Sequence, residues 1–199
     1  MIRTAAILTA LGATVGSALD ALHTYSGTTT YPKPVAFKAA WWTPGIFGLA
    51  GLSTGLAIPL AERALGRSIT SEVTARRALL GFAGFAGLYA ITGFLPASNF
   101  TKTCVVGAGV LALGATLAPS REAALISLAT AIVGPAVEIT LVSRGAFTHN
   151  QPDAFGIPMW LPVLYAGGAI AFGVVGKWIV ATVEAAPEAH AQPANDTDA

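Results

Sequence analysis

The chain of 199 residues is poor in what soluble proteins and most enzymes require. It has a single cysteine, Cys104, which excludes an internal disulfide and any cysteine metal site. In an apolar helix such a thiol is a packing group rather than a reactive one. Only three histidines occur, His23, His149 and His190, scattered along the chain. No HExxH, no serine-histidine-aspartate set, no paired catalytic carboxylates and no phosphate-binding glycine loop accompany them. Neither a metal, a cofactor nor an enzymatic activity is expected. Charged residues make up 11% of the chain, against about 25% in ordinary soluble domains. The net charge of +1, with no basic cluster interleaved with aromatics, argues against nucleic acid as a partner.

What fills the chain instead is apolar. Hydrophobic residues reach 54%, there are 22 glycines, and the mean hydropathy is +0.65. Glycine is more frequent in membrane helices than in soluble ones. The apolar runs are continuous rather than alternating, which excludes a β-barrel. The expected class is therefore all-α, a polytopic membrane protein with six transmembrane helices in residues 1–183. Residues 184–199 read as an acidic, disordered cytoplasmic tail. The spans predicted from hydropathy and breakers run from Thr4 to about His23, Val35 to Leu60, Ala78 to Phe94, Thr103 to Leu117, Ala123 to Val142 and Met159 to Val183. The first, led by Arg3 and containing Gly16-Ser17-Ala18, has some features of a signal peptide. Its apolar character continues through Leu22, long enough to span.

Several features predict how these spans pack. Gly51 and Gly55 form a GxxxG with Gly48 one turn earlier, a row that lets another backbone approach closely. Trp41 and Trp42 suit the interfacial belt, and Pro135 is expected to kink the fifth span. The charged stretch 61–77 predicts a surface helix, with Ser71 as a cap, and has no counterpart after the fifth span. No internal repeat is apparent on that basis. With six spans, the terminus side carries seven Lys and Arg (Arg3, Arg63, Arg67, Arg76, Arg77, Arg121, Lys177) and the other side four (Lys33, Lys38, Lys102, Arg144). The positive-inside rule then places both termini in the cytoplasm.

Two stretches carry a resemblance. Trp41-Trp42-Thr43-Pro44 precedes a small-residue helix. Gln151-Pro152-Asp153-Ala154-Phe155 leads to Trp160-Leu161-Pro162, then to Ala166-Gly167-Gly168 and Gly173-Val174-Val175-Gly176-Lys177. Together, in the same order and with similar spacing from about Ser17 to Trp178, they resemble the insulin-induced gene (Insig) family. The resemblance implies a six-helix membrane protein with cytosolic termini and no enzymatic activity. In animals such proteins bind oxysterols and hold the Scap escort protein in the endoplasmic reticulum. Two animal features are missing. The aspartate needed to hold the partner falls on Ala118, and the glutamine near the sterol site falls on Ile139. An animal-type Scap partner is therefore not expected. The alanine- and glycine-heavy composition points to a high-GC bacterium and hence to a bacterial cell membrane.

Glu138 is the outstanding ionisable group within a span. Unpaired at mid-membrane it would cost about 2.5–3.5 kcal/mol, so a partner or protonation is expected. It reads either as a polar group holding a lipid head or as an interfacial residue one turn from Arg144. Asp20 and His23, three apart on one helix face, read first as interfacial polar groups. Trp42 reads as an anchor or a ligand wall, and Asn99 as a turn-former or a ligand contact. The leading expectation is a membrane protein that binds a neutral lipid, diacylglycerol-like or sterol- or isoprenoid-like, as a lipid sensor. Glu138, Trp42, His23 and Asn99 are its candidate contacts. The alternative is a small proton-coupled transporter using Glu138; a membrane enzyme built on Asp20 and His23 is a weaker third. Surplus small-residue rows predict homo-oligomers.

Overall fold

The computed structural model describes residues 1–66 and 73–185. Six helices are long and apolar enough to cross a membrane: α1 (Ile2–Tyr25), α2 (Thr43–Ala64), α3 (Ala75–Phe94), α4 (Asn99–Leu117), α5 (Arg121–Ser143) and α6 (Leu161–Ala185). The six-span all-α architecture is as expected. Its ends follow local chemistry. Thr74, Ser98 and Ser120 stand in extended backbone, and their hydroxyls accept the N–H of Arg77, Thr101 and Ala123, capping α3, α4 and α5. Pro96 holds Leu95 extended and stops α3. The expected cap Ser71 and part of the charged surface segment lie outside the described residues, as does the tail beyond Ala185.

One expectation needs correction. The second span begins at Thr43, not near Val35, so Trp41 and Trp42 precede the helix rather than sit in it. Pro44 belongs in the first turn, where its missing N–H costs nothing. Phe37 and Lys38 are left-handed (φ 51° and 59°), which breaks any helix there. Pro135 lies within an unbroken α5. The irregular helix is α1, which widens to a π-helical turn over Gly12–Gly16.

The glycine row does its expected work. A Cβ on Gly51 would stand 2.7 Å from the Gly12 Cα of α1, so these two backbones touch. A Cβ on Gly176 of α6 would fall on the Gly55 carbonyl. Membrane helices gain little from hydrophobicity when they associate, so such close fits carry the packing. The central helix is α6, with 67% of its span buried against 11% for α5. It contributes Trp160-side and mid-span residues, among them Leu164, Ile170 and Phe172, to a core shared with Phe85, Leu88 and Val106.

At one end, Arg63 approaches the Met1 sulfur, Arg77 donates to the Thr116 and Leu117 carbonyls, and Lys177 pairs with Glu62 at 2.9 Å. These contacts gather the N-terminus, the end of α2, the start of α3, the end of α4 and the far part of α6. At the other end two loops pair through β1 (Thr29–Thr30) and β2 (Thr148–His149), antiparallel, with Thr30 opposite Thr148 and Thr29 opposite His149.

The paired loops disclose a repeat that hydropathy hides. Thr30 and Thr148 stand 118 positions apart, and at that offset Pro34, Ala36, Phe37, Trp42 and Pro44 match Pro152, Ala154, Phe155, Trp160 and Pro162. Backbone follows sequence. Gly27 and Gly145 have φ of 73° and 71°, Phe37 and Phe155 of 51° and 53°, and the bridge Ala36–Ala39 recurs as Ala154–Ile157. The strand pairing brings Thr30 onto its own equivalent, as a two-fold relation requires. The helix pair α1–α2 and the helix pair α5–α6 are thus two copies of one unit, with α3 and α4 between them in sequence. Identity extends into the helices, where Ala13, Val15, Gly16, Ala18 and Gly55 match Ala131, Val133, Gly134, Ala136 and Gly173. The repeat escapes a span-by-span reading because these are small apolar residues of the kind every span contains.

Candidate functional site

The same offset pairs Asp20 with Glu138, Tyr31 with His149 and Phe47 with Tyr165. These residues meet beneath the paired loops. The Tyr31 hydroxyl donates to Asp20 Oδ2 at 3.0 Å. Nε2 of His149 stands 2.8 Å from Glu138 Oε2, and the Tyr165 hydroxyl donates to Oε1 at 2.6 Å. Each carboxylate of the repeat is therefore held by the aromatic residue that follows its own strand position. Burial, and then the neighbouring Asp20 charge, pushes the Tyr31 phenol well above its ordinary range, so it stays a donor.

The sequence expectation for Asp20 and His23 as interfacial groups is overturned: they are 5% and 2% exposed. The paired loops cover the end of α1, so what would be an interface position is an interior one. His23 Nε2 bonds Thr92 Oγ1 at 2.8 Å, and that hydroxyl donates to the Tyr89 carbonyl, which leaves its oxygen to accept the His23 N–H. The ring stacks on Tyr89 with centroids 4.1 Å apart. Asp20 and His23 thus have separate partners and make no acid–base pair. Glu138 is not an interfacial partner of Arg144 either; its ligands are His149 and Tyr165.

These groups line a chamber of about 70 Å³, mostly apolar but bearing both acids, with walls from Asp20, Tyr31, Trp42, Phe147 and His149. Phe47, Ala50, Tyr89, Glu138, Leu161 and Tyr165 also wall an adjoining apolar chamber of about 80 Å³. Ala50, Thr130 and Tyr165 in turn border a groove of about 440 Å³ between α2 and α5, lined by Leu49, Ser53, Ala57, Val133 and Val137. An apolar cleft between α2 and α5 thus shares walls with an interior that holds two carboxylates.

Of the four candidate contacts, Glu138, His23 and Trp42 line the chamber that holds both acids. Trp42 meets Tyr31 edge-on at 5.6 Å, whereas Trp41 points outward, 78% exposed. Asn99 is elsewhere. Its amide donates to the Gln151 carbonyl and to Asp153 Oδ2, both at 2.9 Å, and its oxygen accepts the Trp160 indole N–H. It clamps the last loop to the start of α4, and is neither a simple turn-former nor part of the chamber. Sequence reasoning missed Tyr31, His149 and Tyr165. The constant offset between the two loops was the signal that could have found them. Among the described residues no cluster of His, Cys, Asp and Glu could hold a metal ion.

Six helices long and apolar enough to cross a membrane, with paired loops over an interior that holds two carboxylates, define a polytopic helical membrane protein with a chamber inside its bundle. No family model matches the chain. It is 31% identical over 184 residues to an INSIG protein homolog of Mycolicibacterium vanbaalenii, covering 89% of this chain and 87% of that one. It is 26% identical over 181 residues to the insulin-induced gene 1 protein of Danio rerio, covering 89% and 72%. The crystal structure of the mycobacterial Insig homolog from Mycobacterium vanbaalenii is similar with a TM-score of 0.82 at 28% identity, over 91% of this chain and 96% of that one. A cross-linked trimer of that protein matches equally well. The chain belongs to the INSIG family.

Proposed function

We propose that the protein binds a neutral lipid, diacylglycerol-like or sterol- or isoprenoid-like, and acts as a lipid sensor without enzymatic activity. The observation that carries this reading is the groove between α2 and α5, whose walls continue into a chamber that holds Glu138 and Asp20. Apolar chains fit the groove and adjoining chamber, and a small uncharged head fits beside the two acids. A phosphate head would meet two carboxylates there, which disfavours a phospholipid. The test is saturable uptake of a labelled neutral lipid by purified protein. Uptake that fails to saturate, or that equals an unrelated six-span protein, would sink it.

We place the protein in a bacterial cell membrane with both termini cytoplasmic, from the excess of Lys and Arg on the terminus side. Reporter fusions at the C-terminus check this. Homo-oligomers are proposed because α5 leaves Leu125, Leu128 and Ile132 exposed and the related mycobacterial protein was crystallised as a cross-linked trimer. Retention of a Scap-like partner is not proposed, since Ala118 and Ile139 stand at the positions where animal members have polar groups.

The internal repeat favours a second reading, proton-coupled transport. Transporters often bind their substrate between structural repeats, and Glu138 and Asp20 lie there. Flux into vesicles under a pH gradient, equal for wild type and Glu138→Gln, would remove it.

A further inference from the structure

Resting on the lipid-binding reading, the two-fold arrangement of the chamber narrows what kind of head it takes. Asp20 and Glu138 come from equivalent positions of the two repeats and line the same small space. A carboxylate accepts up to about four hydrogen bonds. Asp20 accepts one from Tyr31, and Glu138 is engaged by Tyr165 and His149. Both walls therefore retain acceptor capacity directed at one volume, and acceptors call for donors.

A third group points to the nature of those donors. Thr29, 4% exposed, lines the same chamber, and its hydroxyl has no hydrogen-bond partner among the described residues. A buried hydroxyl left without a partner is costly, on the order of 1–3 kcal/mol. A ligand hydroxyl answers both needs, since it donates to a carboxylate and accepts from the Thr29 O–H. A ligand ammonium would donate only, and an ester or ketone would only accept. One hydroxyl reaches one wall; two acidic walls related by the repeat call for two.

We infer that the chamber recognises a lipid whose uncharged head carries at least two hydroxyl groups, one bonded to Asp20 and one to Glu138, with Thr29 donating to the head. Lipids presenting a single hydroxyl leave one carboxylate unanswered and bind more weakly.

The test compares two ligands with the same apolar chain, 1-monooleoylglycerol with two hydroxyls and oleyl alcohol with one, competing against a labelled neutral lipid on the full chain in detergent. The expected result is tighter binding of monooleoylglycerol by roughly tenfold or more, the worth of one hydrogen bond to a charged group. Asp20→Asn and Glu138→Gln should each shrink that preference. Thr29→Val, which keeps the side-chain shape, should do so even if either carboxylate variant fails to fold. Equal affinities in a wild-type protein that binds both lipids would overturn the two-hydroxyl head while leaving lipid binding in place. Binding of neither lipid would overturn both.

Discussion

Asp20 and Glu138 hold equivalent places in the two copies of one helix–loop–helix unit, yet the copies treat them differently. In the α1–α2 copy a single phenol, Tyr31, answers the acid, and Phe47 faces the space where a second donor could stand. In the α5–α6 copy the strand residue is His149 and the helix residue is Tyr165, so Glu138 has two partners. The loop frame is the same in both, down to the left-handed Phe37 and Phe155. Backbone geometry has been held while the groups around the acid have diverged. The first copy leaves more of its acid's acceptor capacity open, and the second engages both oxygens of its acid while leaving part of theirs.

Making the copies alike should break the protein where they differ most. The α1–α2 equivalent of Gly176 is Ile58. Gly176→Ile puts a Cβ onto the Gly55 carbonyl, and a loss of about 3 kcal/mol or more is expected. Size-exclusion chromatography in detergent should show no monodisperse folded species. Next come the acids themselves. Glu138→Gln removes the charge from two hydrogen bonds and should lower stability by about 1.5–3 kcal/mol, read as a fall in Tm. Asp20→Asn disturbs one bond and should cost less; equal losses would remove the asymmetry between the copies. Tyr165→Phe installs the side chain of the other copy. With the His149 contact intact, its expected cost is about 1 kcal/mol, again by thermal unfolding. The smallest effect belongs to the belt: Trp41→Ala, at an outward-facing position, should stay within about 0.5 kcal/mol in the same assay.

Much of the fold was legible because membrane spans announce themselves by length and apolarity. The Gly51 contact followed from a spacing that only close backbones need. The start of α2 was misplaced because Phe37 and Trp41 are apolar yet lie in a loop, where hydropathy is blind to left-handed backbone. The site was legible only in part. Glu138 stood out as a charge within an apolar run, but its partner His149 lies 11 residues on, beyond a turn, and no helical spacing links them. Asp20 and His23 were assigned to an interface because nothing in their own span shows that a loop more than 100 residues away covers them. Tyr165 looked like any aromatic in an apolar helix; its role depends on α5 beside it.

The most direct measurement is the mass spectrum of lipid extracted from the purified protein, compared between wild type and Ser53→Trp. Ser53 lines the groove and faces outward from α2, so the indole should fill the cleft without disturbing the bundle. If the groove and chambers hold a neutral lipid, wild type should carry one in near-stoichiometric amount, and Ser53→Trp, with an unchanged Tm, should have lost most of it. A wild type free of neutral lipid, or equal retention by both proteins, would contradict the assignment.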